Sequence, residues 1–223
     1  MDFEKSGCPD VVVTAGGTRE KIDDVRYIGN FSGGRLGRAL AAEYARLGHS
    51  VLLLAPTDSM ERLGLPEGVE HQPFTSAENL QELMCAIPAA RLVLHAAAVA
   101  DYTPQRVEGK LSSDEEELTL TLRRTPKILQ GLREHFGDNS MIVGFKLISG
   151  VAETELIDAA TKQIAACNTD LCFANDLQCL QPWRELHIVD PDGAYRTILG
   201  DTQTVARALA NCISIEGKRY EWI

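Results

Sequence analysis

The sequence lacks the features that mark membrane, secreted and zinc-stabilised proteins. No apolar run approaches the ~18 residues of a membrane span, and the N-terminal residues lack the basic-then-apolar pattern of a secretory signal. The six cysteines form no C-x-x-C pair, and the five histidines form no H-E-x-x-H motif. We therefore expect no membrane partner, no structural zinc, and reduced thiols in a cytoplasmic protein.

Positive charge is also scarce. The 223 residues include 22 Lys plus Arg against 32 Asp plus Glu, which gives a formal net charge of −10. Most of such a surface would repel a phosphate polymer, so we expect no nucleic-acid partner. A local basic pocket for one small phosphorylated ligand remains compatible with this composition.

Short, uniformly apolar runs alternate with longer segments of helical periodicity, which is typical of βαβ units around a parallel sheet. Strands are predicted at residues 11–14, 51–55, 92–95, 141–145 and 171–174. Helices are predicted at residues 32–47, 76–87, 126–136 and 153–167, with Pro126 in the first turn of the third and Gly48 ending the first. Helices should cover both sheet faces. The predicted fold is α/β, a doubly wound Rossmann-like and mostly parallel sheet within a single domain, residues 1–223.

Two segments depart from this alternation. Residues 117–123 alternate apolar and polar, which predicts a strand with one wet face that forms an antiparallel flap with the loop 109–116. Residues 184–199 surround a Pro-Asp-Gly turn and predict a C-terminal β-hairpin, followed by a last helix at about residues 202–215.

The first predicted strand ends in a glycine pair, at the sheet edge where a doubly wound fold binds its ligand. Gly16, Gly17 and Thr18 follow this strand directly, without the G-x-G-x-x-G fingerprint of dinucleotide binding. Glycines let backbone N–H groups approach a ligand closely. The segment is either a ligand loop or a tight strand exit that binds nothing.

A second glycine-rich segment opens the next predicted helix. Ser32 is expected to cap this helix, and Gly33 and Gly34 allow close approach. Arg35 adds positive charge at the positive end of the helix dipole. The segment nearly matches a P-loop, but Arg35-Leu36 stands where Lys and Ser or Thr are required, which excludes Walker-type ATP binding. It is an anion site, or a place where helix and sheet pack closely.

Between these segments, residues 20–30 form a loop too long for a simple βα turn, and long loops at this edge tend to carry function. Arg26 and Asn30 are candidate ligand donors beside the anion-binding helix start. The alternative is that each is a solvated surface group, but a guanidinium and an amide beside such a helix end favour the role of ligand donor.

The predicted central strand ends in an alanine run and an acid. Ala96 and Ala97 allow close backbone approach and Asp101 offers a carboxylate, a combination that suits a nucleotide and its Mg²⁺. Lys110 lies beyond them, where a mobile ammonium could close over a triphosphate. Lys146 follows the apolar strand 141–145, where a charge is costly unless it faces a cleft or a partner. The alternatives are close packing for the alanines and ordinary solvation for Lys110.

These motifs occur in order over nearly the whole chain. They are Val13-Thr14-Ala15-Gly16-Gly17-Thr18, Asn30-Phe31-Ser32-Gly33-Gly34-Arg35, Ala96-Ala97-Ala98-Val99-Ala100-Asp101-Tyr102, Lys110-Leu111-Ser112-Ser113, Thr125-Pro126-Lys127-Ile128, Gly144-Phe145-Lys146-Leu147 and Ala174-Asn175-Asp176-Leu177. The set resembles phosphopantothenate–cysteine ligase, of the DNA/pantothenate metabolism flavoprotein C-terminal family. The stand-alone bacterial form is the expected type.

The resemblance implies a reaction of coenzyme A biosynthesis. CTP, or ATP in eukaryotic members, would activate the carboxylate of 4′-phosphopantothenate as an acyl-nucleotidylate and release pyrophosphate. The amine of L-cysteine would then displace the nucleoside monophosphate. The resemblance also implies Mg²⁺ and a homodimer with shared active sites.

The resemblance further implies roles for individual residues. Asn30 matches the asparagine that handles the acyl intermediate, Arg26 an arginine of the same loop, and Lys110 a flap lysine needed in the cysteine step. Asp101 is the implied metal ligand. The implied nucleotide and substrate contacts are Gly16, Gly17, Thr18, Ser32, Gly33, Gly34, Arg35, Ala96, Ala97, Asp101, Phe145, Lys146 and Lys162.

The chain departs from the family pattern at two of these places. Gly33 stands where a second serine is usual, which removes one hydroxyl from the phosphate site. Many members carry K-x-K-K at the flap where this chain has Lys110-Leu111-Ser112-Ser113, and we expect Lys146 to replace the lost charge.

Two other functions are alternatives to the ligase. A nicotinamide-dependent short-chain reductase shares the fold class but needs a Tyr-x-x-x-Lys pair, and none of the five tyrosines has Lys four residues later. A nucleotide-binding module without catalytic activity would be consistent with Gly33.

Overall fold

The computed structural model describes residues 7–114, 116–179, 183–215 and 219–220. Its strands are β1 (Val11–Thr14), β2 (Arg19–Lys21), β3 (Tyr27–Gly29), β4 (Val51–Leu54), β5 (Val69–Gln72), β6 (Leu92–His95), β7 (Tyr102–Pro104), β8 (Leu122–Arg124), β9 (Met141–Ile148), β10 (Leu171–Asp176), β11 (Arg184–Val189), β12 (Tyr195–Gly200), β13 (Ile213–Ser214) and β14 (Arg219–Tyr220). Its α-helices are α1 (Arg35–Arg46), α2 (Thr57–Leu63), α3 (Ala77–Cys85), α4 (Ile128–Phe136), α5 (Glu153–Cys167) and α6 (Thr202–Cys212). None of the helices in these ranges is long and apolar enough to cross a membrane.

Eight strands form one sheet in the order β12-β11-β10-β9-β6-β1-β4-β5. The strands from β10 to β5 run parallel, and β11 and β12 add an antiparallel edge. The chain builds outward from β1 through β4 to β5 and then returns to β6 on the other side of β1. This reversal is a topological switch point, where a doubly wound sheet opens a crevice at the carboxyl ends of its strands. The predicted fold class is confirmed.

Helices cover both faces of the sheet, as uniformly apolar strands predict. Neighbouring residues of a strand project to opposite faces. Val13 of β1 accordingly packs with Leu40 of α1 on the face that α1 and α6 cover. Val12 packs with Leu80 of α3 on the other face, which α3, α4 and α5 cover.

The five predicted parallel strands and the four predicted helices are present, with some bounds changed. β9 extends to Ile148, so Lys146 lies inside this strand rather than directly after it. The helix α2 and the strand β5, which lie between β4 and α3, were not predicted. The predicted loop at residues 20–30 is largely a hairpin instead, with β2 paired to β3. β5 is an edge strand with Val69 as its one apolar residue, so it carries no hydrophobic run to reveal it.

Two predicted helix starts are wrong. α1 begins at Arg35 with Gly34 as its N-cap residue at φ 77°, so Ser32 lies before the helix and does not cap it. α4 begins at Ile128 after the N-cap residue Lys127, so Pro126 precedes the helix instead of opening it. Glycine in the left-handed region can reverse the chain at a helix end without a side-chain cap, which explains the later start of α1.

A two-stranded antiparallel pair is present in the region of the predicted flap, but it joins β8 to β7, which the sequence did not predict as a strand. β8 spans Leu122–Arg124, so residues 117–121 are not part of a strand as predicted, and residue 115 of the predicted loop lies outside the described residues. The C-terminal hairpin is confirmed as β11 and β12. The last helix ends at Cys212 and the short strand β13 follows it, so the predicted helix was three residues too long.

Close packing of α1 on β1 depends on Gly37, which leads to a stability prediction. A Cβ at Gly37 would lie 2.5 Å from the Cβ of Ala15, whereas a Cβ at Gly131 of α4 would have no heavy atom within 4 Å. We expect Gly37→Ala to lower the free energy of unfolding by about 1–3 kcal/mol because it overpacks the core. The matched Gly131→Ala should be neutral or raise it by up to about 1 kcal/mol through helix propensity. Urea unfolding measures both, and equal effects would contradict the packing role of Gly37.

Candidate functional site

The loops that follow β1 and β6 stay hydrogen-bonded to each other beyond the ends of their strands. Gly17 and Ala98 form an isolated parallel bridge, in which the Ala98 amide donates to the Gly16 carbonyl at 2.8 Å and the Thr18 amide donates to the Ala98 carbonyl at 3.2 Å. The Thr18 hydroxyl then accepts the Ala100 amide at 3.0 Å. The predicted ligand loop and the predicted alanine run therefore lie side by side at the switch point.

A buried polar pair ends these two strands. The Thr14 hydroxyl accepts the Ala97 amide at 3.0 Å and is also hydrogen-bonded to His95 Nδ1, 3.0 Å away. Burial lowers the pKa of His95 to about 4. His95 is therefore neutral at neutral pH, and it holds the chain through Thr14 at the point where the alanine run begins.

Asn30 lies against both of these loops. A Cβ at Gly17 would be only 2.7 Å from the Asn30 carbonyl oxygen, so a side chain at Gly17 would displace this backbone. The Asn30 side-chain amide donates to the Val99 carbonyl at 3.3 Å. Its side chain is exposed at the edge of the crevice. The structure thus brings Asn30 to the place where both predicted ligand segments meet.

The N-terminus of α1 lies beside the same loop. A Cβ at Gly34 would lie 3.3 Å from the Gly16 amide nitrogen, and the Ser32 Cβ lies 3.8 Å from the ideal Cβ position of Gly17. The first amides of a helix have no intrahelical acceptors and carry the positive end of its dipole. The predicted anion site therefore has a physical basis, although Ser32 lies beside the helix start and Gly33 just before it. Arg35 is the first helical residue and is exposed.

Arg26 is held by the fully buried Asp23 instead of standing free. Arg26 Nε donates to Asp23 at 2.9 Å, and its Nη2 donates to the Leu111 carbonyl at 2.6 Å. Burial alone would raise the pKa of Asp23, but the amides of Val25, Leu111 and Arg26 and the Arg26 guanidinium donate to it, and they lower the pKa to about 2. This arrangement ties the flap loop to the β2–β3 hairpin. Lys110 precedes Leu111 and is exposed beside this anchor.

Asp101, the predicted metal ligand, forms an ion pair with Lys127. Both side chains are more than half exposed, so the pair is accessible to solvent. One carboxylate together with substrate phosphates is a usual ligand set for Mg²⁺. Asp101 therefore fits that role, provided that the ion takes the place of the Lys127 ammonium.

The three remaining predicted contacts lie on β9 and α5. Phe145 packs edge to face on Phe173, with ring centroids 5.1 Å apart, on the α1 side of the sheet. Lys146 is the next residue of β9, so its side chain projects from the opposite face of the sheet, which α5 covers. Lys162 is exposed in the third turn of α5, about 14 Å along the axis from the helix start. The structure does not bring Lys162 to the crevice.

Sequence reasoning assigned no role to four residues that build the site, namely Thr14, His95, Asp23 and Lys127. Thr14 and His95 are polar residues at the ends of apolar strands, and this position was an available signal. Nothing in the sequence indicates that Asp23 is buried. In the structure its neighbours Asp24 and Val25 are exposed, so the burial is confined to this one residue of the three.

The switch point of the sheet, the glycine-lined helix start and the paired loops define a doubly wound α/β protein with a candidate site for a small anionic ligand. The family model for the DNA/pantothenate metabolism flavoprotein C-terminal domain matches residues 8–215. The chain belongs to this family, and the family expected from the motifs is confirmed.

Curated relatives and solved structures agree with this assignment. The coenzyme A biosynthesis bifunctional protein CoaBC of Bacillus subtilis is 40% identical over 172 residues, which cover 75% of this chain and 40% of that protein. The corresponding protein of Methanocaldococcus jannaschii is 37% identical over 170 residues, with the same coverage. This chain thus spans about 40% of the length of these relatives.

Among solved structures, the DNA/pantothenate metabolism flavoprotein from Streptococcus pneumoniae superposes with a TM-score of 0.77 at 27% identity, covering 91% of this chain and 97% of that one. A Cab2 mutant in complex with phosphopantothenate-cysteine superposes with a TM-score of 0.72 at 20% identity, covering 94% and 89%. The second likeness concerns the fold.

The neutral state of His95 predicts a pH dependence of stability. The unfolded chain takes up a proton at His95 near pH 6.5, whereas the folded chain does so near pH 4. Unfolding is therefore favoured progressively as the pH falls from about 6.5 to about 4, by up to ~3 kcal/mol from this residue. We expect His95→Gln, which can still hydrogen-bond to Thr14, to lose this component in urea unfolding measured at several pH values. Parallel wild-type and variant curves would contradict the prediction.

Proposed function

We propose that this chain is a phosphopantothenate–cysteine ligase acting in coenzyme A biosynthesis. It would join 4′-phosphopantothenate to L-cysteine, with CTP or ATP as the activating nucleotide and Mg²⁺ as its counterion. Family membership and the names of the relatives support this proposal. The observation that carries it is the bridged pair of loops after β1 and β6, against which Asn30 lies beside the N-terminus of α1.

The proposed reaction has two steps. A carboxylate oxygen of 4′-phosphopantothenate attacks the α-phosphorus of the nucleotide, and pyrophosphate leaves. The amine of L-cysteine then attacks the acyl carbon and loses a proton, and the nucleoside monophosphate leaves. Both steps bring anionic groups together, so the site would act by neutralising charge and holding the reactants in place.

The residues of the crevice suit this chemistry. The N-terminus of α1 would bind a phosphate through its free amides, with the Ser32 hydroxyl beside it. The Asn30 amide would leave the Val99 carbonyl to donate to the acyl intermediate. Asp101 would hold Mg²⁺ against the nucleotide phosphates, where the ion supplies charge neutralisation. Lys110, exposed beside the Arg26 anchor, would close over the reactants in the cysteine step.

A homodimer with shared sites is part of the proposal. Three large apolar side chains are exposed close to Asn30 in the chain, namely Val25, Tyr27 and Phe31, and Phe31 is fully exposed. Exposed apolar side chains clustered beside a functional group are typical of an association surface. A second copy that covers them would bring its own residues close to Asn30.

Turnover tests the proposed activity directly. Purified protein should release pyrophosphate only when 4′-phosphopantothenate, Mg²⁺ and CTP or ATP are all present, and should form the cysteine adduct only when L-cysteine is added. Coupled pyrophosphate detection and mass spectrometry of the product measure the two steps. Thermal stabilisation by nucleotide without any turnover would identify a binding module instead and would overturn the proposal.

Asn30→Asp should separate the two steps. The variant cannot donate from its side chain and places a negative charge beside the anionic intermediate, so we expect conversion of the acyl-nucleotidylate to fall by about 100-fold. Formation of the acyl-nucleotidylate should persist in a single-turnover assay. Asn139→Asp makes the same charge change at an exposed turn and should leave both steps unchanged. An equal loss of both steps in Asn30→Asp would show that Asn30 is structural.

A further inference from the structure

A second group of ligand-type side chains lies outside the candidate site, on the α5 side of the antiparallel edge of the sheet. One potential ligand atom each from Glu153, Glu185 and His187 can be chosen so that all three lie within 4.8 Å of one another. His187 is buried, with 3% of its surface exposed, whereas the two glutamates are partly exposed. Solvent can therefore reach the group from the side of the carboxylates.

The fold brings these residues together from two elements that are distant in sequence. Glu185 and His187 are two residues apart on β11, so both side chains project from the same face of the sheet. Glu153 is the first residue of α5, which packs against that face through Ile157 and Ala160. The group therefore joins the start of α5 to the β11–β12 hairpin.

Two hydroxyl groups lie beside the cluster, one at the His187 side chain and one at the Glu153 side chain. The Thr197 hydroxyl lies 2.9 Å from His187 Nδ1, directly across the β11–β12 register. The Tyr195 hydroxyl donates to Glu153. A proton on His187 Nδ1 that is shared with Thr197 leaves the lone pair on Nε2, the nitrogen that faces Glu185. Outer hydrogen bonds of this kind commonly fix the tautomer of a metal-binding histidine.

The His187 imidazole is a poor ion-pair partner for the carboxylates of Glu153 and Glu185. The Glu153 and Glu185 oxygens lie 3.8 Å and 3.6 Å from the imidazole nitrogens, too far for hydrogen bonds. Within the described ranges, no lysine or arginine lies within ion-pair distance of either carboxylate. Ligands on one tetrahedral ion, with bonds of about 2.0–2.2 Å, lie about 3.3–3.6 Å apart. One ligand atom from each of the three residues lies within 4.8 Å of the other two, so the exposed carboxylates would have to move closer to share one ion.

We propose that Glu153, Glu185 and His187 bind one divalent transition-metal ion of the Zn²⁺ type, which links the start of α5 to the β11–β12 hairpin. One imidazole and two carboxylates suit such an ion, whereas Mg²⁺ and Ca²⁺ favour ligand sets made of oxygen alone. The two carboxylates neutralise its charge. Water would complete the coordination on the exposed side.

Zinc titration of the full-length chain tests this site. The exposed Cys8, Cys85 and Cys179 would also bind Zn²⁺. All three are therefore replaced by serine, and this triple variant is the parent protein for the experiment. Calorimetric titration with Zn²⁺ in excess Mg²⁺ should show one tight site per chain. Glu153→Gln and Glu185→Gln should each weaken it at least ~10-fold. Glu155→Gln makes the same change in the same helical turn, outside the cluster, and should bind like the parent.

Two further measurements make the result decisive. Circular dichroism shows whether each variant is folded. We expect the glutamate variants to fold, because both glutamate side chains are exposed to solvent. Co²⁺ should give visible d–d absorption in the parent and in Glu155→Gln, but not in Glu185→Gln. An absence of tight Zn²⁺ binding in the parent, or equal affinity in all four proteins, would overturn the proposal and leave the cluster as ion pairs around His187.

Discussion

The pairing of β1 with β6 is the constraint on which the candidate site depends. Because the sheet reverses its direction of growth between these strands, their loops would normally diverge. Here the Gly17–Ala98 bridge and the Thr14–His95 pair hold the loops together past the strand ends. Asn30 can approach only because Gly17 lacks a side chain, and the start of α1 approaches the same loop through Gly34, whose Cβ would lie 3.3 Å from the Gly16 amide nitrogen. Loss of this pairing would disperse every group that we assign to the site.

Two basic side chains of the candidate site form ion pairs with acidic residues. In a chain with a net charge of −10, Asp23 holds Arg26 and Asp101 holds Lys127. The Arg26 pair is buried on the carboxylate side and fixes geometry. The Lys127 pair is exposed, and exposed pairs contribute little to stability, so exchange of its partner costs little. The acidic surplus therefore does not oppose a small anionic substrate at this edge of the sheet.

Hydrophobic pattern predicted the strands and helices of the sheet core, because β1, β4, β6, β9 and β10 are apolar on both faces wherever helices cover them. It failed where that burial is absent. The edge strand β5 is mostly polar, and the strand part of the flap is three residues long. It also misplaced the start of α1, since a left-handed Gly34 replaces a side-chain cap.

The sequence by itself determined the fold class, the family and which segments are candidates for ligand binding, because glycine positions and apolar periodicity are local properties of the chain. The tertiary structure alone decided which of those segments meet. It placed Asn30 against Gly17, paired Arg26 with Asp23, and put Lys162 in the third turn of α5, about 14 Å from the start of that helix. It also assembled Glu153, Glu185 and His187. Such contacts depend on register and helix placement across long sequence separations, which no local pattern encodes.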